Sequence, residues 1–377
     1  MATDVRSQPL ILDEFVNGED PEPDLRKIFL KIRPQWTKED KIELNPCPGS
    51  GFVNITLLAT YDGKKADAVV VRIFIQNVYE FLMNRERELA ATLVFNERGL
   101  TPNIYCIFKN GVCMDYIFGE RFDWSVLAEK PLNDEKILRS VARELAKYHS
   151  KKTSDIAKEK YGHLFPMVPE LKIKAEELLS NLPETLGETE ADELFKTKFP
   201  SKALIESEWR DMFALMERTG VPLTLCHLDA HPSNMLYVPE DDRVIFVDYE
   251  VSAFSWPTQD LATFLEFSAT GLVFDGNFPE RHPPALRKMF LREYLETQRS
   301  LGDLDHDVTD HDVERLLVLV EKAVLPYFLF YTGCCLVVAS GPERNGVPRK
   351  NMLQLSLNNY GWYMRNKERI LALEVPQ

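Results

Sequence analysis

The chain changes character once along its length, and that change limits what it can fold into. Between residues 46 and 118 it reads strand, strand, helix, strand, strand; beyond about residue 133 it reads as helix after helix. Phe52–Thr60 and Ala68–Ile75 are rich in β-branched residues and meet at the turn Asp62-Gly63-Lys64-Lys65. Val78–Arg98 carries Phe81, Leu82, Leu89 and Leu93 at helical spacing. Asn103–Phe108 and Val112–Phe118 flank Asn110-Gly111, a strong hairpin signal. Asn133 is placed to cap a helix running to about Ser150, with Ile137, Val141, Leu145 and Tyr148 on its apolar side. Further helices are expected at about 169–182, 203–219, 257–270, 284–300, 310–324 and 349–373, with a loop over 181–201. The pattern predicts an α+β fold with a small antiparallel-sheet lobe, a link near Met114–Trp124 and a large, mainly helical lobe. Residues 1–45, with an amphipathic run at Leu25–Ile32, are expected as an N-terminal extension, 46–118 as the small lobe and 119–377 as the large one.

Composition narrows the class. Lys plus Arg number 45 and Asp plus Glu 59, a net charge of −14. That argues against nucleic acid as a partner, since such binders displace counterions with positive charge. The six cysteines are scattered, with no CxxC pair, so neither a disulfide framework nor a zinc site is expected. Met1–Leu10 shows no basic-then-apolar leader, which points to a cytoplasmic location. Ala323–Pro342 has no charged residue over about the length of a bilayer span. It also holds Pro326, Thr332, Gly333, Ser340 and Gly341, so a buried helix is expected rather than an integral membrane segment.

The chemistry concentrates between residues 225 and 250. Leu225-Cys226-His227-Leu228-Asp229-Ala230-His231-Pro232-Ser233-Asn234 is followed by Val244-Ile245-Phe246-Val247-Asp248-Tyr249-Glu250. Two strand-like runs flank Pro239–Arg243, and a hairpin centred on Asp241 would set Tyr237 opposite Ile245 and Asn234 opposite Asp248. An amide oxygen and a carboxylate converging at its open end would suit Mg²⁺ carrying phosphates. Asp229 could then accept a hydroxyl proton and orient that oxygen towards a phosphate. Strand alternation sets Asp248 and Glu250 on one face, although acidic pairs at strand ends are also common as solvated residues.

Protein kinases hold their base and metals in a similar HxDx₄N-plus-Asp arrangement, and the upstream region fits. Arg72 lies within the apolar strand Val69–Ile75, where kinases carry a phosphate-binding Lys; a surface ion pair is the plainer alternative. Glu88 (or Glu86) on the following helix could pair with it. The loop Pro48-Gly49-Ser50-Gly51-Phe52-Val53-Asn54 could cradle phosphates with its backbone. Met114-Asp115-Tyr116-Ile117 ends the fourth strand, where a hinge would offer hydrogen bonds to adenine, with Asp115 and Ile117 as the contacts.

Taken together these segments resemble the choline/ethanolamine kinase family and, more loosely, the aminoglycoside phosphotransferases. The resemblance covers about residues 45–270 and then thins. It rests on Gly51–Asn54, Val71-Arg72-Ile73-Phe74, Glu88-Leu89, Phe108-Lys109-Asn110-Gly111, Ala142-Arg143-Glu144-Leu145-Ala146-Lys147-Tyr148-His149, Cys226–Asp229 and Val247–Glu250, in the family's order. The texture is similar to ethanolamine kinases in particular. The resemblance implies ATP-dependent phosphorylation of the hydroxyl of a small amino alcohol, ethanolamine first, giving phosphoethanolamine for phospholipid synthesis. It implies Asp229 as base, Asn234 and Asp248 as Mg²⁺ ligands, Glu250 beside the metal, His227 as a brace of the loop and Arg72 on the ATP phosphates. A homodimer is possible on the same ground.

The departures bear on the substrate. The family's Asp-Ile-Gly-Asn-His-Phe-x-Glu is Asp260-Leu261-Ala262-Thr263-Phe264-Leu265-Glu266-Phe267 here. Asp260 is kept, but Glu266 is turned about 100° from the family's substrate-facing Glu. Of the family's late tryptophan pair only Phe330 and Gly333 stand in place. Asp260, Glu266 and Phe330 are therefore the substrate-side candidates. A thinned aromatic cage favours a primary ammonium, held by hydrogen bonds, over a quaternary one. The helix bearing Tyr327, Phe330 and Tyr331 reads more readily as core. Choline kinase, another small-molecule kinase of this fold and a pseudokinase binding module are the alternatives. Retention of Arg72, Asp229, Asn234, Asp248 and Glu250 argues against the last.

Overall fold

The computed structural model describes residues 8–38, 41–47, 54–74, 84–122, 127, 130–165, 201–340 and 348–377. They form two compact units, one from residues 1–80 with 95–118, the other from residues 81–94 with 119–377. The helix expected at 169–182 and the loop at 181–201, up to residue 200, lie outside the described residues.

The smaller unit contains β1 (Leu10–Ile11), α1 (Glu22–Ile32), β2 (Ile42–Pro46), β3 (Asn54–Tyr61) and β4 (Lys64–Phe74). Helix α2 (Arg85–Glu97) starts in the larger unit and ends in the smaller, which closes with β5 (Ile104–Phe108) and β6 (Gly111–Asp115). Its sheet runs β1-β5-β6-β4-β3-β2, and only β1 pairs in parallel, with β5. The β3–β4 turn uses Asp62 and Gly63, both at positive φ, the two-residue geometry that matches strand twist. At the β5–β6 hairpin a side chain on Gly111 would place its Cβ 2.3 Å from the Arg72 carbonyl oxygen, so only glycine fits.

Residues 8–38 pack on this sheet. Leu25, Ile28 and Phe29 recur at helical spacing and bury one face of α1, in a core with Val16, Trp36, Val71, Ile73 and Cys113. Asn110 ties the segment down: its Oδ1 accepts from the Val16 N–H at 2.9 Å and its Nδ2 donates to the Val16 carbonyl at 2.8 Å.

The larger unit contains β7 (Glu120–Arg121), α3 (Glu135–Tyr148), α4 (Lys151–Tyr161), α5 (Lys202–Arg218), β8 (Thr224–Cys226), β9 (Met235–Val238), β10 (Arg243–Phe246) and β11 (Ala253–Ser255). Helices α6 (Pro257–Thr270), α7 (Pro284–Leu301), α8 (Asp310–Ser340) and α9 (Arg349–Leu371) follow. The cap of α3 is Asp134, not Asn133: its carboxylate accepts from the Lys136 and Ile137 N–H groups, while Asn133 bonds His282 at 2.9 Å. Such a cap contributes about 1 kcal/mol. Ile137, Val141, Leu145 and Tyr148 are buried, as their spacing predicts. Helix α8 continues well past residue 324 and packs against α5, α6, α7 and α9. Asp310–Leu336 is long and apolar enough to cross a bilayer, yet 72% of its apolar window is buried within the protein.

Candidate active site

Strand β8 delivers the chain into the loop that begins at His227, and β11 pairs with it, Cys226 opposite Ala253. Leu228 then adopts φ +65°, a left-handed conformation that costs an L-residue about 1–2 kcal/mol. Asp260 on α6 holds it there. Its Oδ2 accepts from the His227 N–H and its Oδ1 from the Leu228 N–H, each at 2.7 Å. His149 Nε2 donates to the same carboxylate at 2.9 Å and is itself bonded to Tyr294. Asp260 is fully buried, and its carboxylate braces the loop from behind.

His227 is the second brace. Its Nε2–H donates to the Val247 carbonyl at 3.1 Å and its Nδ1 accepts from the Asp229 N–H at 3.3 Å. Burial lowers its pKa, which keeps the ring neutral and this tautomer satisfied. His149, Cys226 and Asp260 bring ligand atoms within 4.8 Å, but burial pushes the Cys226 thiol up and the other two are spent on each other. That cluster is structural.

Asp229 presents its carboxylate at the front of the loop, with its side chain 28% exposed. Asn234, ending the turn Pro232–Asn234, donates from Nδ2 to Asp229 Oδ2 at 2.8 Å and to the Asp229 carbonyl at 3.1 Å. Asn234 Oδ1 is the side-chain atom these two bonds do not use. Burial alone would raise the Asp229 pKa, but His231 and Tyr331 lower it to about 2. The group is therefore a carboxylate at neutral pH.

The β9–β10 hairpin pairs one residue out of the expected register. Val244 faces Tyr237 and Ile245 faces Leu236, because the connection Pro239–Asp242 has four residues rather than five, with Asp242 at φ +46°. Asn234 thus meets Val247, whose N–H donates to its carbonyl at 2.9 Å. Asp248 leaves the ladder at φ +72°. Its carboxylate, that of Glu250 and that of Glu88 bring oxygens within 4.8 Å of one another. Glu88 is buried and pairs with Arg85 at 2.7 Å. Three hard oxygen donors in one place repel each other unless a cation sits among them, and they suit Mg²⁺.

Beside Asp229 stands an aromatic cluster. Phe267 lies 5.3 Å from Tyr331, 6.0 Å from Tyr327 and 5.0 Å from the His231 ring, centroid to centroid. Tyr331 Oη donates to Asp229 Oδ1 at 2.5 Å. Glu266 does not face this cluster as a free charge. Arg281 Nε lies 2.8 Å and 2.9 Å from its two oxygens, and the same guanidinium reaches Glu321 at 2.9 Å. Phe330 packs its ring on Trp209 and Tyr331. Among the described residues it is Tyr331, Asn234 and His231 that reach the Asp229 carboxylate.

The nucleotide-side candidates are more dispersed. Gly51 lies outside the described residues. Asn54 opens β3, is buried, and its Oδ1 has no hydrogen-bond partner among the described residues. Arg72 sits in β4 between Thr56 and Val112, and alternates with the core residues Val71 and Ile73, so it projects to the opposite sheet face. Asp115 ends β6 and accepts from Tyr105; Ile117 follows, half-buried.

A family model described as choline/ethanolamine kinase matches residues 49–340, which carries the likeness beyond residue 270 and through α8. The chain is 28% identical to mouse ethanolamine kinase 1 over 349 residues, 92% of this chain and 89% of that protein. Among solved structures it is similar to a Plasmodium vivax ethanolamine kinase, with TM-score 0.69, 17% identity and 93% and 92% of the two chains covered. A Cryptosporidium parvum choline kinase gives TM-score 0.67 and 17% identity over 92% and 95% of the chains. The two structures share a protein-kinase-like fold with this chain.

Proposed function

This chain belongs to the choline/ethanolamine kinase family, and on that premise we propose that it phosphorylates the hydroxyl of a small amino alcohol, with ethanolamine as the first substrate and ATP as donor. One observation carries the reading: the Asp229 carboxylate, lowered to about 2, stands on a strained loop that Asp260 braces, with Asn234 bonded to it. Asp229 would accept the hydrogen bond of the acceptor hydroxyl and align its oxygen with the γ-phosphorus. Asn234 would hold the carboxylate in that orientation. Asn234, Asp248 and Glu250 would hold Mg²⁺, with Glu88 beside them. A bound Mg²⁺ neutralises charge on the transferring phosphates. Gly51, Asn54, Arg72, Asp115 and Ile117 are assigned to the nucleotide on their place in the family motif; the buried, unpartnered Oδ1 of Asn54 is consistent with a polar ligand near it. A cytoplasmic enzyme feeding phospholipid synthesis is the setting we infer from the family.

Choline is the second reading, and the aromatic cluster favours it. Phe267, Tyr327 and Tyr331 next to Asp229 offer ring faces to a quaternary ammonium. Steady-state ADP release with Mg²⁺-ATP and ethanolamine, its N-methylated series or choline separates the two. The first reading expects the highest kcat/KM for ethanolamine. A kcat/KM that climbs with each methyl group would reverse the order, and silence across the series with measurable ATP binding would favour a pseudokinase.

A further inference from the structure

Asp229 is crowded for a base. To take a proton from an alcohol it must first accept that alcohol's hydrogen bond, at about 2.6–3.2 Å. Yet Oδ2 already receives Asn234 Nδ2 at 2.8 Å, with His231 Nε2 at 3.4 Å, and Oδ1 receives Tyr331 Oη at 2.5 Å. The two sides differ in kind. Asn234 is part of the same loop and is fixed by a second bond to the Asp229 carbonyl. Tyr331 comes from α8, 102 residues away in sequence. It is the half-buried member of a cluster whose other rings, Phe267 and Tyr327, are buried. A small alcohol approaching Asp229 therefore competes with one neutral hydroxyl on a partly open ring.

We propose that Tyr331 is a positioning residue whose hydroxyl occupies the acceptor's seat on Asp229 Oδ1 until an amino alcohol displaces it, and that this cap keeps water from taking the seat. This rests on the phosphotransfer reading above. The suppressed side reaction is hydrolysis: the water oxygen bonds to the γ-phosphorus, the bond from that phosphorus to the ADP oxygen breaks, and the water proton passes to Asp229 and on to solvent. Hydrogen bonds to a charged group are strong enough for one lost hydroxyl to matter. A residue that served only packing would lose function when altered; a cap, when removed, releases it.

Tyr331→Phe keeps the ring and deletes the hydroxyl. Without acceptor, its Mg²⁺-ATP hydrolysis is expected to rise about fivefold over wild type, and its KM for ethanolamine to fall by a similar factor. KM for ATP stays unchanged. Tyr331→His, which returns a donor to an aromatic ring, brings hydrolysis back towards the wild-type rate. Hydrolysis no faster in Tyr331→Phe, with KM for ethanolamine unchanged or higher, overturns the cap. The wild type assayed with ethanolamine and choline in the same series tests the phosphotransfer reading separately. If it turns over neither, that reading fails, while the acceptor-free rates still decide whether Tyr331 restrains water.

Discussion

Asp229 and Glu266 are two carboxylates near one tyrosine, and they meet opposite fates. Beyond the effect of burial, both raise the Tyr327 phenol, so both lie close to the aromatic cluster. Asp229 is held by neutral donors, Tyr331 and Asn234, with His231 nearby, and keeps 28% of its side chain exposed. Glu266 is 2% exposed and is gripped at both oxygens by Arg281, which also binds Glu321; Arg287 pairs with Glu321 from the other side. A carboxylate satisfied by neutral groups keeps its charge for chemistry. One satisfied by a guanidinium becomes part of the frame. Proximity to the aromatic cluster does not separate them; the grip of a guanidinium on both oxygens does.

Breaking the pair from either end gives different results. Asp229→Asn removes the acceptor for the hydroxyl proton and is expected to cut kcat by about 10²–10⁴. Glu266→Gln leaves Arg281 short of charge in a buried site and is expected to cost about 3–5 kcal/mol in chemical denaturation, while kcat of the folded enzyme stays close to wild type. A kcat collapse in Glu266→Gln without loss of stability would make that carboxylate part of the substrate site.

The smallest effect sharpens the contrast through pH. His282 is buried between Ser268 and Asn133, and burial, then Arg287 and Arg281, lower its pKa from 6.5 to about 4. Between those values the unfolded chain binds a proton that the folded one refuses. Stability is therefore complete above about pH 6.5 and falls as pH drops towards 4, by up to about 1.4 kcal/mol per pH unit. His282→Gln flattens the denaturation midpoint across that window. An unchanged slope means that this histidine is not the titrating group.

Much of this was legible in sequence because it is local. The spacing His227, Asp229, Asn234 lies within one loop, Leu25, Ile28 and Phe29 lie on one helix face, and Arg72 alternates with Val71 and Ile73. What escaped is set by partners distant in the chain. Nothing near Glu266 announces Arg281, and an apolar helix does not say which of Tyr327, Phe330 and Tyr331 meets a carboxylate on another element. Asp260 keeps its family position, but only the fold reveals that it faces backbone N–H groups. The hairpin register failed by one residue because it depends on whether Asp242 belongs to the turn, and a positive φ there leaves no strong mark in sequence.

The most direct measurement is ³¹P NMR of the purified protein with Mg²⁺-ATP and ethanolamine. A phosphomonoester resonance of phosphoethanolamine is expected to grow in step with ADP in the wild type, and more slowly by about 10² or more in a folded Asp229→Asn variant. A phosphomonoester signal that grows equally fast in Asp229→Asn, or ADP that accumulates in the wild type with inorganic phosphate alone, would contradict it.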